Sequence, residues 1–216
     1  MNLICEPKAL AESLAGAGSG VLADPDPSAC ERLAEYTALL DRWNRAQRLV
    51  GWRTASELAR RGLRDAWTAA AHLAEQVPSA VPIVDLGSGA GLPAVVFAVA
   101  FPGREVHLVD VRRKRAAFLR DVVRQLGLST VSVHHGRVAD LRAAGLVEPG
   151  AVLSARAFLP PGLLVLEAAR WCVGWCLVSS SVDRLPTPWP PDGWRCPVGG
   201  HLEIDGSVHS LLTPIS

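Results

Sequence analysis

The sequence predicts an α/β fold: a mainly parallel sheet with helices on both faces and a helical cap at the N-terminus. Short apolar, often β-branched runs alternate with stretches of helical periodicity from residue 81 to residue 179. A glycine-rich turn over residues 87–91 follows the first of these runs and precedes an apolar stretch, residues 92–101. Strand, glycine turn and helix is the order that brings backbone N–H groups to a nucleotide-like ligand.

The first 78 residues are expected to form a helical extension, and residues 79–216 a single sheet-based core. Residues 1–27 contain glycine and proline breakers, which predict a weakly ordered or partly helical start. A capping box formed by Ser28 and Glu31 predicts a helix that reaches about residue 47.

A second capping box, formed by Thr54 and Glu57, predicts a helix to about residue 75, and Pro78 ends this helical part. In the core, the alternating pattern predicts strands at 81–86, 105–110, 131–135, 151–155 and 173–179, and helices at 92–101, 112–126, 138–144 and 161–170. The tail predicts a hairpin with strands at 194–198 and 202–212.

Composition excludes several classes of protein. The N-terminus lacks the basic flank and apolar region of a signal peptide, and no apolar run approaches the ~20 residues that cross a bilayer. Five cysteines, an odd number, predict reduced thiols and a cytoplasmic location. A zinc site at Cys172, Cys176, Cys196 and His201 is the alternative, but on one strand the first two would lie roughly 13 Å apart. No metal is therefore expected.

Asp85, two residues before the first glycine of the turn, is the most informative side chain. In methyltransferases that use S-adenosylmethionine (SAM), an acid there faces the methionine end of the cofactor. Asp110 ends the next strand, where it can accept hydrogen bonds from both ribose hydroxyls. The spacing Gly89-x-Gly91-x-x-Ala94 also satisfies the dinucleotide fingerprint, and a purely structural turn is a third possibility. The acid at position 85 favours SAM.

The net charge of +1 conceals two basic segments. Residues 41–65 hold seven arginines against three acids, and residues 110–140 hold seven basic residues against three acids. This segregation favours an anionic partner on one face of the protein. Exposed helix faces that are merely solvated explain the same pattern.

Several segments match one known family in order and spacing. They are Leu40-x-x-Trp43-Asn44, Asp85-x-Gly-Ser-Gly-Ala-Gly-Leu-Pro93, Lys114-Arg-Ala-Ala-Phe118-Leu-Arg120, Gly136-Arg137 and Ser154-Ala-Arg156-Ala-Phe158. Together, over roughly residues 33–160, they resemble the bacterial small-subunit ribosomal RNA guanine-N7 methyltransferases, the glucose-inhibited-division-protein-B family. The resemblance implies a class I, Rossmann-like SAM-dependent fold and methyl transfer to N7 of a guanine in that RNA.

The resemblance also implies where the ligands bind. The expected SAM contacts are Asp85, Gly87, Ser88, Gly89, Gly91, Leu92, Asp110, Val138, Ala139 and Arg156. The expected RNA contacts lie on the arginine-rich faces, at Arg45, Arg48, Arg61, Arg64, Arg113, Lys114 and Arg115. Guanine N7 attacks through a lone pair, so no general base is expected, and Arg156 is expected to position the SAM carboxylate or an RNA phosphate. Small-subunit RNA is the expected partner, and we expect a monomer.

Three segments depart from the family pattern, all on the expected RNA side. Arg48-Leu49-Val50 stands for Asn-Leu-Thr, Gly62 replaces a histidine, and Ser179–Ser181 stands where the family has Lys-Gly. A methyltransferase of a small molecule or of another RNA is therefore the alternative function. A non-catalytic SAM-binding or RNA-binding module is the third hypothesis, which the intact glycine turn disfavours.

Overall fold

The computed structural model describes residues 2–145, 149–171, 173–204 and 207–215. The strands are β1 (Ile83–Leu86), β2 (Val106–Asp110), β3 (Val131–His135), β4 (Val152–Arg156), β5 (Trp175–Ser181), β6 (Trp194–Arg195), β7 (His201–Ile204) and β8 (Ser207–Pro214). The helices are α1 (Pro7–Leu14), α2 (Pro27–Gln47), α3 (Ala55–Leu58), α4 (Asp65–Gln76), α5 (Ala94–Ala100), α6 (Arg113–Gln125), α7 (Val138–Ala143) and α8 (Pro161–Arg170). A π-helical turn, Ala59–Arg64, joins α3 to α4.

The sheet has the order β3-β2-β1-β4-β5-β8-β6, and β7 also pairs with β8. Strands β1 to β5 are parallel, and β8 runs antiparallel to β5. In this register Asp85 lies between Leu108 of β2 and Ser154 of β4. Parallel strands end at the same edge of a sheet, so the glycine turn, Asp110 and Arg156 meet there.

The N-terminal helices share one apolar core with this sheet. Leu3, Leu10 and Leu14 are fully buried, as are Leu33 and Tyr36 of α2. Of the predicted weakly ordered or partly helical start, the structure shows the partly helical form, since α1 lies within it and its leucines are buried. The predicted division at residue 78 stays a prediction.

Helix α2 begins two residues earlier than the predicted cap implies, and it has a different cap. Asp26, not Ser28, accepts a hydrogen bond from the Ala29 amide at 2.7 Å, and Pro27 occupies the first helical turn. The Ser28–Glu31 capping box is wrong, because an aspartate followed by proline makes a stronger N-terminus. The capping box of Thr54 and Glu57 is confirmed.

The predicted alternation of strands and helices is confirmed, with ends displaced by a few residues. The tail differs: the predicted strand over 202–212 covers the end of β7 and most of β8, which pair with each other. The residues between them, 205–206, lie outside the described part of the chain. The other predicted hairpin strand is reduced to β6, which pairs with the far end of β8.

Candidate functional site

The glycine turn between β1 and α5 uses backbone conformations that side chains disfavour. Gly87, Gly89 and Gly91 have φ of 69°, 57° and 88°. A methyl group on Gly87 would come within 2.3 Å of the Phe158 ring. At this position glycine is thus required by both the backbone angle and the space.

Hydrogen bonds hold this turn to the end of β2. The Ser88 hydroxyl donates to the Asp85 carbonyl at 2.9 Å and accepts from the Val109 amide at 3.1 Å. The Asp110 carboxylate accepts from the amides of Gly89 and Arg112, at 2.9 and 2.7 Å. A carboxylate has about four acceptor positions, so Asp110 keeps capacity for a ligand.

Asp85 is buried at the end of β1 and is only 1% exposed. Its Oδ1 atom has no hydrogen-bond partner among the residues that the structure describes. Burial raises the pKa of this carboxyl from its ordinary 3.8 to about 7. An orphaned carboxyl beneath a glycine cradle is a group that a cationic ligand satisfies.

A cavity of about 590 Å³ opens at the carboxyl edge of β1 and β2, and we call it the cofactor cavity. Its walls include Gly87, Asp110, Arg115, Val138 and Phe158. The Arg115 guanidinium lies 3.8 Å from the Asp110 carboxylate. The volume suits a nucleotide-sized ligand. Asp85 does not itself line this cavity. The glycine cradle above it, the Asp110 carboxylate and the apolar Val138 and Phe158 fit SAM.

The remaining residues expected to bind SAM lie around this cavity. Gly87, Ser88, Gly89, Leu92 and Arg156 line an adjoining pocket of about 360 Å³. Gly91 lies in the turn itself, and Ala139 follows Val138 in the first turn of α7. Seven of the ten predicted cofactor residues thus line these two cavities, whereas Asp85, Gly91 and Ala139 line neither; the roles of all ten stay predictions.

A third cavity, of about 370 Å³, is the arginine pocket, and its cations come from separate parts of the chain. It is lined by Arg60, Arg61 and Arg64 of the π-helical turn, Arg156, Arg184, Asp65, Trp52, Ser179–Ser181, Ser207, His209 and Ala157. Ala157 also lines the two other cavities, so the three adjoin at the end of β4. Such a concentration of guanidinium groups favours an anionic ligand.

Arg156 stands between the arginine pocket and the 360 Å³ pocket. Its Nη2 donates to the Asp65 carboxylate at 2.9 Å and to the Arg61 carbonyl at 2.6 Å. Its guanidinium lies 5.9 Å from the centre of a Trp52 ring. The side chain that the sequence assigned to a ligand clamp is therefore already held by protein groups.

The residues expected to bind RNA have different surroundings in the structure. Arg61 and Arg64 line the arginine pocket, where Arg64 also donates to the Ser13 and Ala15 carbonyls, at 3.0 and 2.6 Å. Arg115 faces the cofactor cavity. Of the others, Arg113 and Lys114 are exposed at the start of α6, Arg45 pairs with Asp41 at 2.7 Å, and Arg48 caps α2 in a left-handed conformation.

The sequence did not identify several residues of these cavities. Arg60 lies in the basic segment that the charge pattern marked, so a signal for it existed. Arg184 follows β5 in a proline-rich loop, and nothing local distinguishes it. Phe158 belongs to the motif at the end of β4, but only the structure shows that its ring covers Gly87.

Two further properties concern the whole described chain. Among the described residues, no helix is long and apolar enough to cross a membrane. Nor do the described residues include a group of three or more His, Cys, Asp or Glu side chains placed to hold a metal. Cys172, a member of the alternative zinc site, lies outside the described residues.

Comparison with known proteins connects this geometry to a family. Residues 29–161 match the family model described as rRNA small subunit methyltransferase G. A relative of that name in Granulibacter bethesdensis is 39% identical over 73% of this chain and 68% of its own length. Another, in Oleidesulfovibrio alaskensis, is 33% identical over 84% of this chain and 83% of its own.

Solved structures match at the level of fold. The ribosomal protein L11 methylase of Lactobacillus delbrueckii subsp. bulgaricus superposes with a TM-score of 0.54 at 10% identity, covering 73% of this chain and 80% of that one. The fold described above is therefore that of the class I methyltransferases.

Proposed function

The chain belongs to the ribosomal RNA small subunit methyltransferase G family, and we propose that it transfers a methyl group from SAM to N7 of a guanine in small-subunit ribosomal RNA. One observation carries the proposal beyond the family match. The cofactor cavity and the arginine pocket adjoin at Ala157, so a methyl donor in one lies next to a polyanion in the other.

The protein would hold SAM through residues of the glycine turn and of the ends of β1 and β2. Asp85 would receive the cationic methionine end, for which its orphaned oxygen is an acceptor. The remaining lone pairs of Asp110 would accept from the ribose hydroxyls. Val138 and Phe158 would cover the base with apolar surface. SAM itself supplies the electrophilic methyl group.

Methyl transfer to guanine N7 requires little acid–base catalysis by the protein. Guanine N7 carries a free lone pair, so no proton has to leave before it attacks the methyl carbon. Catalysis then rests on alignment, which can supply roughly 7–11 kcal/mol of the barrier. Arg156 lies where the cavities meet, and we propose that it positions the reacting groups rather than moving a proton.

The arginine pocket would bind the phosphates beside the target guanine. It gathers five guanidinium groups around one carboxylate, that of Asp65. Phosphate contacts of this kind fix orientation and make the affinity depend on salt. Trp52, which lines the same pocket, offers a ring on which an unstacked base can lie.

A second candidate is methyl transfer to a small phosphorylated or carboxylated molecule. The departures from the family pattern favour it, because Gly62 and Ser179 lie on the acceptor side and none falls in the glycine turn. The arginine pocket is also small enough for such a molecule. We further propose that the protein acts in the cytoplasm as a monomer, with residues 1–78 as a helical extension of the core.

Incubation with radiolabelled SAM and small ribosomal subunits that lack N7-methylguanine at the family's site distinguishes the candidates. Label recovered as N7-methylguanine in the RNA is the expected result. Binding of SAM in a calorimeter, with no label in the RNA, would refute the RNA acceptor and favour the second candidate. Subunits that already carry the modification serve as the matched control.

A further inference from the structure

A row of buried polar side chains connects the C-terminal strand to Arg156. Asp65 Oδ2 lies 2.9 Å from Arg156 Nη2, and Asp65 Oδ1 lies 3.2 Å from His209 Nε2. On the far side of the imidazole, His209 Nδ1 lies 3.0 Å from the Ser179 hydroxyl. His209 is 1% exposed, and it is 144 residues from its carboxylate partner in the sequence.

The charge state of Asp65 sets the direction of these hydrogen bonds. Burial alone would raise the pKa of Asp65, but the hydrogen bond from His209 and the charge of Arg156 hold it below its ordinary value. An ionised carboxylate can only accept hydrogen bonds. Nε2 of His209 therefore carries a hydrogen and donates a hydrogen bond to Asp65. On the other side of the ring, Nδ1 of His209 and the Ser179 hydroxyl share a hydrogen bond.

This row restrains Arg156 from one side. The Asp65 carboxylate can rotate about its χ2 bond, and the donor from His209 fixes the oxygen that faces the guanidinium. The Asp65 carboxylate binds the Arg156 guanidinium through one oxygen and the His209 imidazole through the other. Arg156 is the last member of the row, and it lines both the arginine pocket and the 360 Å³ pocket. Ser179 and His209 both lie beyond residue 161, where the match to the family model ends.

We propose that His209 is a positioning residue for methyl transfer, which acts through Asp65 to hold Arg156 where the cavities adjoin. This inference rests on the proposed function. His209 also lines the arginine pocket, but it is only 1% exposed, so we propose that its effect on the ligand passes through the carboxylate of Asp65. Loss of the His209–Asp65 hydrogen bond is expected to slow transfer on the order of tenfold to a hundredfold, as small displacements of positioning groups do.

Two substitutions separate this role from simple packing. In His209→Gln the amide nitrogen reaches about as far as Nε2 and can still donate to Asp65. In His209→Asn the amide reaches only about as far as Nδ1, toward Ser179. His201→Asn is the matched control, because His201, on β7, also bonds a serine, Ser210 of β8, at 2.8 Å.

The measurements are single-turnover methyl transfer to small subunits, the Kd for SAM and the melting temperature. We expect His209→Asn and Asp65→Asn to lose rate with an unchanged Kd for SAM, and His209→Gln and His201→Asn to stay within about threefold of the wild type. In an Arg156→Ala background, His209→Asn should have no further effect on rate, because the positioned group is gone.

Each other outcome has a distinct meaning. Equal rate losses in His209→Gln and His209→Asn, in step with melting temperature, would make His209 structural and overturn the positioning role alone. A further loss of rate in the Arg156→Ala background would overturn the route through Arg156. No transfer by the wild-type protein would overturn the proposed function instead.

Discussion

Replacement of Asp85 by asparagine should make the unliganded protein more stable at neutral pH. The carboxyl is 1% exposed, and burial raises its pKa from 3.8 to about 7. One pKa unit corresponds to 1.36 kcal/mol, so ionising this group in the fold costs about 4 kcal/mol relative to ionising it in the unfolded chain. Asparagine keeps the shape and cannot ionise.

The sign of the pH dependence follows from the raised pKa. Below pH 3.8 the carboxyl is protonated in both the folded and the unfolded chain, so wild type and Asp85→Asn should differ little. Between pH 3.8 and about 7 the unfolded chain ionises first, and the wild type loses stability relative to the variant. Above about pH 7 the difference is constant, at about 4 kcal/mol.

Urea titrations of both proteins at several pH values measure this difference, provided that unfolding is two-state. Other titrating groups cancel in the comparison, and Asp192→Asn, at an exposed position, is the control for the substitution itself. A stability difference that does not change between pH 4 and pH 8 would refute the argument, since it would mean that Asp85 ionises as easily in the fold as in water.

Three shorter predictions test other parts of the site. Gly87→Ala, with φ of 69° and the ring of Phe158 at 2.3 Å, should cost about 1–3 kcal/mol in urea and abolish SAM binding in a calorimeter; normal affinity would refute the cradle. Arg184→Ala should reduce the salt dependence of RNA affinity by about one phosphate, while the exposed Arg195→Ala leaves it unchanged. Tyr36→Phe removes the 2.7 Å hydrogen bond to a carbonyl of the glycine turn and should lower stability by about 1–3 kcal/mol, which thermal melts would detect.

SAM affinity should depend on pH through the same Asp85 carboxyl. If SAM places a cation against it, the ionised form binds, so affinity should rise about tenfold per pH unit up to about pH 7 and then level off. Asp85→Asn should bind SAM weakly at every pH and show no such rise. A SAM affinity that does not depend on pH in the wild type would refute the proposed contact between Asp85 and the methionine end of SAM.

The cofactor half could be predicted from sequence because its constraints are local. A turn that needs positive φ at Gly87, Gly89 and Gly91 admits little besides glycine, so the glycine spacing alone predicts the shape of the turn. The acids at the ends of β1 and β2 follow from the strand pattern alone. The burial of these acids does not follow from the strand pattern. Oδ1 of Asp85 lacks a partner among the described residues because β2 and β4 flank it on both sides.

The acceptor half could not be predicted in this way. The arginine pocket draws on the π-helical turn, the end of β4, the loop after β5 and β8, and no spacing in the sequence relates these segments. The charge pattern marked residues 41–65 correctly as basic. It could not show that Arg64 turns back to the Ser13 carbonyl or that Arg45 pairs with Asp41.

The two halves of the site are therefore free to change separately. In the proposed arrangement, cofactor binding depends on the turn and on Asp110, which accepts a hydrogen bond from the Gly89 amide. The acceptor side adjoins them at Ala157, Arg156 and Trp52. The departure at Val50 is an exception, because Val50 lines the 360 Å³ pocket beside the glycine turn. Changes such as glycine at 62 or serine at 179 can alter the acceptor without disturbing SAM. A family member that departs only there is expected to keep its cofactor affinity, and its acceptor must be measured rather than assumed.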